Sequence, residues 1–407
     1  MQYTVTAPKE VAPYKVALPT SKSISNRALI LNALAYSAKP IKNLSDSDDT
    51  QLMLKALQSD SNNFDVGAAG TTMRFLTAFL SKIVGEWTIT GSERMKQRPI
   101  KILVEALNKL GAKIEYIEKE GYPPLRIFGS SMEGGELELP GDVSSQYISA
   151  LLMIGPTMKN GLKLTLTGEI ISRPYITLTL KMMETFGVKS DWKGNVISVP
   201  AGNYQPTDFT VEADWSAASY WFEIAALTPG CELILQGVKK YSEQGDSKVA
   251  ELFNQLGVSH KFSQKGLILK NTGETVKRFN YNFIEQPDLA QTFAVTCCCL
   301  DIPFKFTGLQ TLKIKETDRI NALIDELKKM GFVLTSNQVD DLVWDGTTCE
   351  KEQTPCIATY KDHRMAMAFA PAASTIGNMD IDDPAVVSKS YPKYWEHLSE
   401  FGFKTEE

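Results

Sequence analysis

Apolar stretches with helical spacing alternate along the chain with short apolar strands, and a compact polar cluster stands just ahead of each helical stretch. The clusters fall into two interleaved series. One reads SKSISNR (21–27), AGTTMR (69–74), VSSQY (143–147), DWSAASY (214–220), PDLAQ (287–291) and DHRM (362–365). The other reads SDSDD (45–49), RMKQRP (94–99), SRPY (172–175), SEQGD (242–246), KETDR (315–319) and SKSYP (388–392). Ser, Thr, Asp and Pro suit helix starts because they satisfy or dispense with the unpaired amides there.

The pattern repeats. Arg74, Tyr147, Tyr220, Gln291 and Arg364 close successive clusters of the first series at steps of 73, 73, 71 and 73 residues. Strands Trp87–Gly91, Leu162–Gly168, Leu233–Gly237 and Phe304–Gly308 end on glycine and lead into the second series. A third marker is a helix closed by glycine before an apolar strand, at Gly111, Gly187, Gly257, Gly331 and Gly402. The reading is six α/β units, with the first trimmed: Arg27 and Arg74 are only 47 residues apart, and Ser59–Asn63 stand where a glycine cap and strands are expected. Units that alternate strand and helix favour a closed α/β arrangement over an open array.

Several clusters add Lys or Arg to a helix start, where exposed amides and the dipole already favour anions. Converged by the fold, they would make a pocket for phosphate and carboxylate. A net charge of -5 argues against a nucleic-acid surface, so the ligand expected is a small anion. The opening segment has no basic start followed by an apolar run, and no stretch is long enough to cross a bilayer; the cytoplasm is the expected compartment. Cys297, Cys298 and Cys299 lie in an apolar run and read as buried thiols, Cys349 and Cys356 as unpaired. Three scattered histidines make no metal cage, and neither metal nor cofactor is expected.

Read in order, LPTSKSISNRALIL, AAGTTMR, RMKQRP, VSSQY, SRPY, PDLAQT, KETDR, DHRMAM and VVSKSYP resemble the EPSP synthase family of enolpyruvyl transferases, from about residue 14 to about residue 396. The resemblance implies two similar lobes, each of three repeated α/β units with helix N-termini facing the interdomain cleft. Residues 1–19 and 213–407 would form one lobe and residues 20–212 the other. The family transfers the enolpyruvyl group of phosphoenolpyruvate to the 5-hydroxyl of shikimate 3-phosphate, releasing phosphate. The expected partners are thus two small anions, with no nucleic acid, no membrane and no second subunit.

Such chemistry needs an acid for the enol methylene and a base for the attacking hydroxyl. Asp288, after Pro287 at a helix start, suits the base. Lys22 and Glu316 are the proton carriers that the resemblance implies, with Glu316 ranked first for the carbon. For phosphoenolpyruvate the matching residues are Lys22, Gly70, Arg98, Gln146, Arg319, Arg364 and Lys389, since guanidinium groups grip such anions in pairs of hydrogen bonds. For shikimate 3-phosphate they are Lys22, Ser23 and Arg27 on the carboxylate side, Ser144, Ser145 and Ser172 at the phosphate, and Tyr175, Asp288, Thr311 and Lys315 around the ring. His363 reads as a hydrogen-bonding spacer beside Arg364. The clusters around Ser45 and Ser216 read as plain helix caps, and Met365 and Met367 as core.

The chain departs from the family at Ala68 and Thr311, where Asn is usual, and at Thr20, where Gly is usual. Glyphosate, which occupies the enol site in this family, is expected to compete with phosphoenolpyruvate. Two relatives of the fold fit less well. The UDP-aminosugar enolpyruvyl transferase presents a cysteine in its first lobe, whereas the first cysteine here is Cys231. RNA 3'-terminal phosphate cyclase needs a nucleophilic histidine. A repeat scaffold such as a DNA clamp would spread cations over its faces and not gather them at helix starts.

Overall fold

The two series of polar clusters open two kinds of helix. First-series helices are buried nearly all round: Trp215–Leu227 exposes only part of Ser216, and Gly70–Lys82, Ser145–Ile154, Ala290–Cys299 and His363–Phe369 are similarly enclosed. Second-series helices bury one face, as in Lys101–Lys109, Arg173–Thr185, Arg319–Lys329 and Tyr394–Phe401. An all-apolar helix belongs in a core and an amphipathic one at its surface. Each repeat therefore supplies one inner and one outer helix.

The computed structural model describes all 407 residues, Met1–Glu407. They separate into a unit of Met1–Pro19 with Glu212–Glu407 and a unit of Thr20–Val211, so Glu212 groups with the residues that follow it. Each unit has its own hydrophobic core. In the first, three sheets surround the inner helices. Tyr14–Ala17 pairs in parallel with Glu232–Gln236, Phe279–Asn282 in parallel with Phe304–Thr307, and Gln2–Thr6 lies antiparallel to both Met379–Asp382 and Lys404–Glu406. The N-terminal strands thus complete sheets whose other strands come from the far end of the chain.

In the second unit two four-stranded sheets form, one around Gly85–Thr90 and one around Leu162–Thr167. The trimmed repeat contributes one short strand, Asn63–Asp65, which pairs in parallel with Gly85–Thr90. The segment between its helices Lys22–Leu34 and Asp48–Leu57 joins the end of the unit through a parallel bridge, Lys42 to Thr210, and a bond from Asn43 Nδ2 to the Val211 carbonyl at 2.8 Å. The expected strands end one residue short of their glycines, of which Gly168, Gly237 and Gly308 turn left-handed. Gly308 could be nothing else, because a Cβ there would stand 2.1 Å from Asn282 Oδ1. Gly257 differs from expectation: the helix before it is short, Val249–Leu252, and the glycine sits at an irregularity within the strand Leu256–Ser263. No helix is long and apolar enough to cross a membrane.

Candidate active site

In the unit of Met1–Pro19 and Glu212–Glu407, charged groups from four of the clusters meet around Arg319. This side chain is 1% exposed. Its Nε and Nη2 reach both oxygens of Asp362 at 2.6 and 3.2 Å, Nη1 reaches Asp288 at 3.0 Å, and Nη2 reaches Glu316 at 3.0 Å. Asp288 also receives Arg364 Nη2 at 2.9 Å, and Lys315 Nζ lies 3.7 Å away. Lys389 Nζ donates to the other oxygen of Glu316 at 2.6 Å. Turned to face its neighbours, the Gln291 carboxamide oxygen accepts from Arg319 Nε at 2.9 Å. Charge-assisted contacts of this length are the strong ones.

Local structure explains the aim of these groups. Asp362 caps the helix His363–Phe369 by accepting the amide of Arg364, while its carboxylate also clasps Arg319. Asp318 caps the helix that Arg319 begins. Asp288 sits in the short turn Pro287–Leu289 ahead of Ala290–Cys299. Burial works to raise the Asp288 carboxyl, but Arg364, Lys315 and Arg319 outweigh it and hold it well below the usual carboxylate range. Burial moves Lys315 the other way, lowering its ammonium despite Asp288. Tyr220, whose hydroxyl accepts from Arg364 at 3.4 Å, is pushed up to about 12 by burial.

In the unit of Thr20–Val211, Ser21 caps the helix that opens with Lys22, whose Nζ lies 3.6 Å from Asp49. Arg27, 2% exposed, bonds Thr179 Oγ1 at 2.7 Å, the carbonyl of Ser23 at 3.0 Å, Ser149 Oγ at 3.1 Å and the carbonyl of Tyr175 at 3.5 Å. Its guanidinium also lies over the Phe75 ring. Burial pulls it down to about 10. At the start of Gly70–Lys82, a Cβ on Gly70 would stand 2.7 Å from Arg98 Nη1 and 3.2 Å from Arg74 Nη1. Gln146 donates to Thr71 at 3.2 Å, next to that glycine, and Ser144 caps the helix Ser145–Ile154. Ser172, in left-handed backbone, precedes Arg173–Thr185 and Tyr175.

The residues expected from sequence thus gather in groups: Asp288, Lys315, Glu316, Arg319, Arg364 and Lys389; Ser23, Arg27 and Tyr175; Gly70 and Arg98. Thr311 joins none, and its hydroxyl has no hydrogen-bond partner. His363 is buried beside Asp362, with Nδ1 3.6 Å from the carboxylate. The clusters around Ser216 and Ser45 do supply helix N-caps, through a neighbouring residue in each. Ser216 donates to Asp246 while Asp214 caps the helix, and Ser45 bonds Ser47, the residue at the N-cap position.

Sequence reasoning passed over Asp362, although it stands in the DHRM cluster, and also Asp246, Tyr220 and Asp49, each within a polar cluster. Asp246 is 3% exposed, and its carboxyl is pushed up to about 7 by burial and by Asp288, against the pull of Arg364. All six cysteines are free thiols. No group of His, Cys, Asp and Glu is disposed to hold a metal ion.

The sequence profile of the family "EPSP synthase (3-phosphoshikimate 1-carboxyvinyltransferase)" matches residues 6–59 and 58–398. A 3-phosphoshikimate 1-carboxyvinyltransferase of Bacteroides fragilis is 55% identical over 404 residues, covering 99% of this chain and 98% of that one. One from Shewanella pealeana is 36% identical over 413 residues, covering 94% and 96%. The solved EPSP synthase of Acinetobacter baumannii is similar with a TM-score of 0.79 over the full length of both chains; at 23% identity this speaks for the fold. With a profile and relatives that run nearly end to end, the chain belongs to the EPSP synthase family.

Proposed function

We propose that this chain transfers the enolpyruvyl group of phosphoenolpyruvate to the 5-hydroxyl of shikimate 3-phosphate, with release of phosphate, as its family does. The observation that carries the reading is the meeting of three cations, Arg319, Arg364 and Lys315, on the single carboxylate of Asp288. A site so rich in cations suits two anionic substrates, and a carboxylate within it suits the hydroxyl that must lose a proton.

The roles follow residue by residue. Arg319, Arg364, Lys389, Arg98, Gly70 and Gln146 take phosphoenolpyruvate; Ser23, Arg27, Ser144, Ser145, Ser172, Tyr175, Thr311 and Lys315 take shikimate 3-phosphate; Lys22 serves both. Phosphate arriving at Lys389 competes with Glu316 for the ammonium 2.6 Å away, so that Glu316 takes up a proton from solvent and delivers it to the enol methylene. The same exchange at Arg364 loosens the grip on Asp288, whose carboxylate is otherwise too weakly basic to accept the hydroxyl proton. The adduct then collapses: a methyl proton returns to Glu316 as the C–O bond to phosphate breaks and phosphate leaves. The protein works as a monomer in the cytoplasm, and glyphosate competes with phosphoenolpyruvate.

The test is phosphate release from the purified chain with both substrates, and with a UDP-linked aminosugar as the rival acceptor. Release only with the aminosugar would overturn the reading. Asp288→Ala is expected to lower kcat by about 100-fold or more while KM changes little.

A further inference from the structure

One face of the helix Arg319–Lys329 grips the segment that runs into Asp362, and we propose that Glu326 on that face is a positioning residue for turnover. Arg319 and Glu326 are two turns apart and share a face, with Lys329 one turn further on. Together they hold the segment along its length. Lys329 Nζ donates to the Cys356 carbonyl at 2.8 Å, Glu326 Oε2 accepts the Ala358 amide at 3.0 Å, and Glu326 Oε1 accepts the Tyr360 hydroxyl at 2.7 Å. At the far end Arg319 clasps Asp362. Glu326 is 1% exposed, so its carboxylate is committed to these partners and to Lys329, 2.7 Å away.

What the grip restrains is an unusual turn. The amide of Asp362 donates to the Thr359 carbonyl at 2.8 Å, and the two residues between, Tyr360 and Lys361, have φ of 54° and 56°. Positive φ at both central positions is a geometry that glycine and asparagine supply readily and that a tyrosine and a lysine hold only under restraint. The restraint is the phenol on Glu326. Directly after the turn, Asp362 fixes the first amide of Arg364, and Arg364 reaches Asp288. Glu326 touches no reacting group; it sets the direction from which Asp362 and Arg364 arrive. The inference rests on the proposed function only in taking Arg364 as a group that meets phosphoenolpyruvate.

The experiment is steady-state kinetics in each substrate, with thermal melts, on Glu326→Gln, Tyr360→Phe, Tyr360→Gly and the Glu326→Gln/Tyr360→Gly double variant. With its single oxygen on the Ala358 amide, glutamine meets the phenol with an NH2 that can only donate to it, so the charge-assisted bond that the Tyr360 hydroxyl makes to Glu326 is lost. Glu326→Gln is expected to raise KM for phosphoenolpyruvate about 10-fold and leave that for shikimate 3-phosphate within about 2-fold; Tyr360→Phe moves the same way by about 5-fold. Glycine at 360 takes positive φ freely and leaves only Lys361 to be held, so Tyr360→Gly alone stays within about 2-fold of the parent and the double variant recovers most of the loss, to within about 3-fold. Tyr360→Phe keeps the inference testable where Glu326→Gln fails to fold. Unchanged constants in both single variants overturn it, as does a loss that glycine leaves unrepaired or one shared equally by the two substrates. Arg364→Lys is the separate control. Where that variant leaves KM for phosphoenolpyruvate unchanged, the assignment of Arg364 fails, and the clamp is judged on kcat: a loss repaired by glycine supports it, and one left unrepaired overturns it.

Discussion

Two buried arginines, one in each unit, are held in opposite ways. Arg319 is surrounded by Asp288, Glu316 and Asp362, and although burial opposes its charge, those carboxylates stabilise the guanidinium strongly. Arg27 is just as buried, yet its partners are two hydroxyls, two carbonyls and a ring face, and burial pulls it down to about 10. Neutral dipoles orient a cation without cancelling it. The positive field of Arg27 therefore remains whole for an incoming anion, whereas that of Arg319 is partly taken up within the protein, and an anion reaches it only in competition with Asp288 and Glu316. At both sites the helix-start clusters signal cations, but only the structure tells which are neutralised from inside.

The comparison is broken most directly at Arg319. Arg319→Met would leave three buried or half-buried carboxylates facing one another, and removing one partner of a buried ionic network typically costs about 3–5 kcal/mol. Urea denaturation should report a loss of that size. A loss under about 1 kcal/mol would mean that the carboxylates find other cations and that Arg319 is not the centre of the network.

Asp246 sharpens the contrast from within the same unit, because one of its oxygens lacks a partner and the other has only Ser216. Asp288 and Asp214 push its carboxyl up, and Arg364 and Ser216 pull against them, with burial dominant. Below about pH 4, the unfolded value, folded and unfolded chains both carry the proton. Between there and about 7 only the folded chain does, so stability from this group falls as pH rises, and the penalty is complete above 7. Asp246→Asn should flatten the fall between pH 4 and 7, by at most about 4 kcal/mol. Parallel pH profiles for parent and variant would show that Asp246 is ionised throughout.

How far the sequence exposed all this depended on range. Caps at Ser21, Ser144, Asp214, Asp318 and Asp362 bond an amide two or three residues on, so their chemistry is local and visible in a string of letters. The glycines at 111, 187, 331 and 402 close their helices with positive φ for the same reason. Asp362 and Arg319 are 43 residues apart, and Arg27 is 152 residues from Thr179. No local signal marks such pairs: each helix start by itself points its cations at an incoming anion, whereas Asp362 and Glu316 supply part of the negative charge from within the protein. The trimming of the first repeat was legible as a short step, but its remaining strand, Asn63–Asp65, and the Lys42–Thr210 bridge were not.

At Gly70, in the unit of Thr20–Val211, the test is a change of one methyl group. The added Cβ would meet Arg98 Nη1 at 2.7 Å and Arg74 Nη1 at 3.2 Å, so in Gly70→Ala the guanidinium groups must give way. Overpacking of this kind costs about 1–3 kcal/mol, which the flexible Arg98 tip converts from strain into displacement. The expected outcome is a rise of about 10-fold or more in KM for phosphoenolpyruvate with little change in melting temperature. An unchanged KM would remove Arg98 from the enol substrate.

The smallest expected effect on stability is at Arg27, and it is the one that the comparison most depends on. Deleting a charged group normally strands its partners, but here the partners have each other: Thr179 Oγ1 lies 2.8 Å from Ser149 Oγ and donates to the Tyr175 carbonyl at 2.8 Å. Arg27→Met therefore leaves satisfied hydroxyls, fills most of the volume, and relieves the cost of burying a cation that no carboxylate offsets. A change of about 1 kcal/mol in either direction is expected, far below that at Arg319. Its effect on function runs the other way, since the uncancelled charge is the feature an anion would use: KM for shikimate 3-phosphate should rise about 10-fold or more while the fold stays intact. If Arg27→Met instead costs as much stability as Arg319→Met, the two arginines are structural in the same sense and the distinction between partly taken-up and available charge fails.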